Sequence, residues 1–176
     1  MKVRRSLPLS AVLVGCFSTI LVVAGLAGVY TLLHRHTQKN PFTVLVQSNA
    51  QTQLYYPTKL PGGYTMDPSR VSQPQKGVTV MSFTAKGKPP IYMSQQAVPS
   101  GFDMGTFTKN FEDASHITAQ AGQGTVGKLT DAQKTVHVAS LVSNDKTGTW
   151  IILNAPTDVS TKTLQQIAEA LVKVPN

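Results

Sequence analysis

The sharpest periodicity in this chain lies near its end. Leu164, Ile167, Ala168, Leu171 and Val172 recur at i, i+3, i+4, i+7 and i+8, one apolar stripe along a helix. Ser160 stands where that helix needs a cap, with Val159 and Leu164 at the positions of a hydrophobic staple. Lys173 suits the negative helix end, and Pro175 is expected to stop the helix. Ahead of it the period falls to that of strands. Segments 135–142 and 149–154 flank Ser143-Asn144-Asp145-Lys146-Thr147-Gly148, a turn-rich connection that predicts an antiparallel hairpin. The continuous apolar run Trp150-Ile151-Ile152-Leu153 predicts a strand covered on both faces, with a helix on one side and Trp150 in the core. A second hairpin is predicted from 78–84 and 91–95, with a polar, Pro-rich tip over 85–90. Short strands are expected at 54–56, 117–120 and 126–129, and Pro61-Gly62-Gly63 marks a turn.

Two further helices are predicted. Asn40-Pro41 reads as a cap and first helical position, with Phe42, Leu45, Val46 and Asn49 on one face. Segment 103–114 reads as a helix capped by Asp103, with Met104, Phe107 and Phe111 on one stripe.

The other dominant pattern is an uncharged stretch over residues 6–33. About 20 apolar residues cross a hydrocarbon core of roughly 30 Å, so the run from Leu9 to Leu33 is long enough to span a bilayer. It has no polar face to show to water. Lys2, Arg4 and Arg5 precede it, and Arg35 and Lys39 follow, a bias that favours a cytoplasmic N-terminus. A cleavable signal peptide has a shorter apolar region with a small-residue cut site, which is not seen here. Leu13-Val14-Gly15-Cys16 is similar to the lipobox of bacterial lipoproteins, but Phe17 and a long apolar continuation follow Cys16. The plainer meaning of Cys16 is a small apolar residue in a membrane helix. Ala24 and Gly28 form a small-xxx-small pair through which two such helices could approach as a homodimer.

The expected organisation is therefore a cytoplasmic tail at 1–6, a transmembrane helix at 7–33 in contact with the lipid bilayer, a juxtamembrane linker at 34–40 and an extracytoplasmic domain at 41–176. The expected fold class is α+β: an N-terminal transmembrane helix followed by an antiparallel sheet with helices packed on one face.

Composition narrows the function. All but three of the 16 Lys and Arg follow the apolar run and are scattered along the domain, against 8 Asp and Glu. Nucleic-acid binders cluster their cations among aromatics, so nucleic acid is not an expected partner. The single cysteine lies in the apolar run, which leaves the domain without a disulfide or thiol nucleophile.

Gly122-Gln123-Gly124-Thr125-Val126-Gly127 matches the letters of a dinucleotide fingerprint, but no helical pattern follows it, so no cofactor is expected. His34 and His36 beside the membrane lack further ligands for a metal. His116 is expected at a helix end, and His137, alternating with Val136 and Val138, partly exposed. The acids Asp67, Asp103, Glu112, Asp113, Asp131, Asp145, Asp158 and Glu169 suit caps, turns and helix surface. No serine stands in a G-x-S-x-G context. The chain is expected not to be an enzyme. Tyr55, Tyr56, Tyr64 and Tyr92 are the candidate binding surface, with a place at the edge of the core as the plainer alternative.

The phrase Leu54-Tyr55-Tyr56-Pro57-Thr58-Lys59-Leu60-Pro61-Gly62-Gly63-Tyr64 resembles the opening of membrane-anchored bacterial domains of the DUF4367 type. The strand at Thr149-Trp150-Ile151-Ile152 and the closing helix at 164–172 are similar too, and small bacteria of the Saccharibacteria sort carry chains that look like this one. The resemblance implies an extracytoplasmic domain on a single-span anchor and carries no catalytic residue across. The leading expectation is a membrane-anchored, non-catalytic binding or interaction domain, for sensing or for assembly with an envelope protein. The alternatives are a carrier or chaperone for an apolar ligand such as a lipid or lipoprotein in a sheet-lined cavity, and a cell-wall hydrolase with two acids across a cleft.

Overall fold

The computed structural model describes residues 38–131, 134–146 and 148–175. The apolar run, its flanking cations and the Ala24–Gly28 pair lie outside the described residues. Among the described residues no helix is long and apolar enough to cross a membrane.

A short helix α1 (Val44–Asn49) opens the module, capped by the Thr43 hydroxyl, which accepts from the Val46 amide. The Asn40 side chain instead bonds the Phe42 amide, so the helix starts later than Asn40-Pro41 suggests. Strand β1 (Tyr55–Pro57) leads to the turn at Pro61-Gly62-Gly63, closed by the Tyr64 amide on the Pro61 carbonyl at 3.1 Å. Both glycines have positive φ, 63° and 78°, which a side chain would oppose. Next come β2 (Thr65–Met66), β3 (Ser72–Gln75), β4 (Val78–Ala85) and β5 (Lys88–Ala97). The β4–β5 tip is tighter than predicted: Ala85 pairs with Lys88 around Lys86-Gly87, and Pro89 and Pro90 lie inside β5.

After β5 the chain crosses the sheet and forms α2 (Met104–Thr108), then runs as a meander through β6 (Phe111–Ala119), β7 (Gly122–Asp131), β8 (Lys134–Ser143) and β9 (Thr149–Pro156). Helix α3 (Thr161–Glu169) and β10 (Leu171–Lys173) finish it. All pairings are antiparallel. The main sheet runs β2-β4-β5-β9-β8-β7-β6, with β3 also on β4, while β1 and β10 form a separate two-stranded ribbon.

The expected α+β class is overturned. Strands dominate the described residues and the three α-helices are short. Two predicted helices lose length to strands. Asp103 does cap a helix, its carboxylate accepting from the Thr106 amide, but that helix ends at Thr108 and Phe111 already belongs to β6. The sheet edge at β7 pairs with seven residues of β6 in a ladder of backbone bonds that an exposed, Gly-containing helical turn cannot match. At the other end, the helix capped by Ser160 closes at Ala170. Leu171 and Val172 then extend to give β1 its partner.

The core lies on one sheet face. Met81, Phe83, Ile91, Met93, Leu141, Ile151 and Leu153 project there under Leu164, Ile167 and Ala168 of α3 and Leu171 of β10. Burying such side chains stabilises a fold by about 1.5–3 kcal/mol each before entropy is counted. Strand β9 alternates between buried and half-buried rather than being covered evenly. Ile151 and Leu153 are sealed in the core, whereas Trp150 and Ile152 are half-buried on the opposite face. Trp150 is thus not part of the core under α3.

Candidate interaction face

That opposite face has two parts, and the connection from β5 to β6 decides which is covered. Segment 98–110 lies over β8 and β9, where Phe102, tilted, and Phe107, edge-on, pack against Trp150 at ring-centroid distances of 4.4 and 5.3 Å. Phe107 reaches Phe111 edge-on at 5.5 Å, joining the crossing segment to the start of β6. The Trp150 indole N–H donates to the Ser140 hydroxyl at 2.8 Å, which in turn points at Met104 Sδ. The helical spacing of Met104, Phe107 and Phe111 therefore marks one apolar cluster, although only the first two stand on the helix.

On β4, β5 and the far part of β9 no segment of the described chain covers the face. Register places Tyr92 between Ser82 of β4 and Asn154 of β9, and Ser94 between Val80 and Ile152. Tyr92 is 45% exposed, and Val80, Ser94, Ile152 and Asn154 are half-buried around it. None of these side chains carries a charge. One aromatic ring, two aliphatic side chains and several hydroxyl or amide groups make a surface that can stack on a partner and hydrogen-bond to it without desolvating an ion.

The other three tyrosines lie elsewhere. Tyr55 is buried in the ribbon on the core side, with its hydroxyl donating to Asp145 at 2.7 Å. Burial first, and then that hydrogen bond, push its phenol up to about 12. Tyr64 is buried beside the glycine turn; its hydroxyl donates to the Pro89 carbonyl, the Lys88 ammonium sits over its ring, and burial raises its pKa. Tyr56 is half-buried on the ribbon, away from Tyr92.

The acids are engaged locally. Asp67 accepts from the amide and hydroxyl of Ser69, which hold its carboxyl below the usual range. Asp103 is held low by its bonds to Thr106. Asp113 pairs with Lys128, which lowers the acid and raises the lysine. Asp145 bonds the Ser143 hydroxyl and the Gly148 amide, shaping the β8–β9 loop. Among the described residues no three His, Cys, Asp or Glu side chains converge as a metal site needs.

The histidines differ from expectation. His116 lies on strand β6, exposed, and not at a helix end. His137 is buried: its Nδ1 is 2.6 Å from the Val159 carbonyl just ahead of α3, and its Nε2 has no hydrogen-bond partner among the described residues. Sequence alternation placed it on the right face, but only the sheet shows that α3 covers that face. Gly122, Gly124 and Gly127 lie within β7, which continues into a hairpin rather than a helix. A Cβ at Gly122 or Gly124 would come within 2.0 Å of a β8 carbonyl oxygen.

No family model matches the sequence, and no curated protein does. A solved structure, described as a crystal structure from Bacteroides thetaiotaomicron VPI-5482, is similar with a TM-score of 0.40 and 9% identity. The match covers 66% of this chain and 44% of that one, a likeness too slight to bear on fold or function.

Proposed function

We propose that this chain is a membrane-tethered, non-catalytic interaction module that holds its β-sheet domain on the extracytoplasmic side and meets an envelope protein through the face around Tyr92. The observation that carries this is the uncharged patch of Val80, Tyr92, Ser94, Ile152 and Asn154, open where the crossing segment 98–110 leaves the sheet bare. The apolar run at 9–33 and the basic residues ahead of it support the tether and its direction. The engagement of Asp67, Asp103, Asp113 and Asp145 in local bonds supports a non-catalytic role.

The test combines topology and contact. Protease added to intact cells should remove the domain, and a photo-crosslinking residue at Tyr92 should trap a membrane-associated protein that the same residue at exposed Gln120 does not. Protection of the domain until lysis would reverse the topology. Equal trapping at both positions, or trapping undiminished by Ile152→Ser, would dismiss the Tyr92 face as the contact.

A further inference from the structure

Helix α1 is built the wrong way round for a water-facing helix. None of its residues is buried, and its apolar Val44 and Leu45 are 83% and 69% exposed. Among the described residues the only other exposed large hydrophobic side chain is Tyr92. Single apolar residues on a surface are ordinary, but here two neighbours project from an element of six residues, too short to persist in water by itself. It is nevertheless held in place: Thr43 caps it, the Gln47 side-chain Nε2 donates back to the Phe42 carbonyl, and the Gln73 side chain of β3 donates to the Val46 carbonyl. Phe42, just before it, is buried as its root in the core.

Two further observations say what would cover those side chains. Gln38 is pinned to the module by its amide on the Thr58 carbonyl and stands five residues past Leu33, the last residue of the apolar run. Five residues reach at most about 18 Å, so the start of the module stays beside any bilayer that holds the run. The charge pattern agrees. Between the apolar run and Asp67, the first acid after it, stand Arg35, Lys39 and Lys59. On the described module, Lys39 and Lys59 are exposed and flank the Gln38–Thr58 contact. A segment with apolar side chains outward and cations beside it suits the boundary between acyl chains and anionic headgroups.

We propose that α1 docks on an anionic lipid surface, with Val44 and Leu45 entering the headgroup–acyl boundary and Lys39 and Lys59 meeting lipid phosphates. The docking rests on the tether proposed above and adds to it a fixed posture: α1 is held down on the bilayer instead of swinging free on its linker.

The full chain, with Cys16→Ser and an environment-sensitive fluorophore on Leu45→Cys, is reconstituted into vesicles of mixed phosphatidylcholine and phosphatidylglycerol. The expected result is a blue-shifted emission that brominated lipid quenches, while the same fluorophore on Gln120→Cys stays unquenched. Quenching at 45 should fall in pure phosphatidylcholine and on adding Val44→Ser and Lys39→Gln. A chain that floats with the vesicles yet shows equal quenching at 45 and 120 would overturn the docking and leave the tether standing. A chain that does not float overturns both.

Discussion

The side chain of Gln95 bonds both backbone groups of Tyr55: its Oε1 accepts from the Tyr55 amide at 2.7 Å and its Nε2 donates to the Tyr55 carbonyl at 2.9 Å. A single buried glutamine thus stands in for the missing neighbouring strand and fastens the β1–β10 ribbon to β5 of the main sheet. Replacing it with an apolar side chain strands two buried polar groups, each costing about 1–3 kcal/mol when unpaired. Gln95→Leu should lower the unfolding free energy of the full chain in mild detergent by about 2–4 kcal/mol, read from urea melts. An unchanged midpoint would mean that water or relaxed backbone satisfies Tyr55 instead.

The hydroxyl of the same tyrosine gives a pH test. Its pKa rises from 10.0 to about 12 on folding, chiefly through burial and then through the bond to Asp145. A raised folded-state value means that the phenol's contribution is complete below the unfolded value and is lost as pH climbs through the folded one. The stability difference between the natural chain and Tyr55→Phe should therefore be constant near neutral pH, at about 1–2 kcal/mol, and shrink above pH 10. A difference that grows with alkalinity would contradict the assignment.

Trp150 is the only tryptophan, so its emission reports on the covered part of the outer face. Phe107 packs edge-on against it and also touches Phe102 and Phe111. Phe107→Ala should shift the emission to the red and cost about 1–3 kcal/mol, below the usual figure for a sealed core phenylalanine because the site is half open. Tyr92→Ala, on the open part, should leave both the emission and the melting curve nearly unchanged.

Strand β7 tolerates no side chain at Gly124, where a Cβ would sit 2.0 Å from the Ser140 carbonyl oxygen and 2.8 Å from the Leu141 Cα. Those neighbours are backbone and cannot swing aside. Gly124→Ala should destabilise by about 3 kcal/mol or more, or prevent folding, as seen by loss of the cooperative melt. Gly87→Ala offers the contrast: it has open space and only its positive φ, 70°, to oppose the change, which costs roughly 1 kcal/mol.

Local chemistry made several parts of this molecule legible. Ser160 ahead of an apolar stripe, Asp103 ahead of a helix start, Pro61-Gly62-Gly63 and the turn-rich Ser143–Gly148 connection each act on neighbours a few residues away, and the fold keeps all four. Tyr55, Tyr56, Tyr64 and Tyr92 look alike as candidates for a binding surface in the sequence, yet exposure separates Tyr92 from the other three. Whether a tyrosine meets solvent or the core depends on which strand or ribbon lies over it.

The caps at Asp103 and Ser160, the turns at Pro61-Gly62-Gly63 and Ser143–Gly148, the two hairpins 78–95 and 135–154 and the long uncharged stretch ahead of the domain are legible in the chain, because they rest on side-chain type and short spacing. Only the tertiary structure decided that Phe111 and Leu171 leave helices for strands, that His137 is sealed under α3, and that Trp150 faces away from the core. Each of those outcomes is set by a partner distant in the chain: the open edge of β7, the unpaired β1, the returning helix, the crossing segment. A periodicity of side chains records which faces are apolar, but not which backbone edge is still waiting for hydrogen bonds.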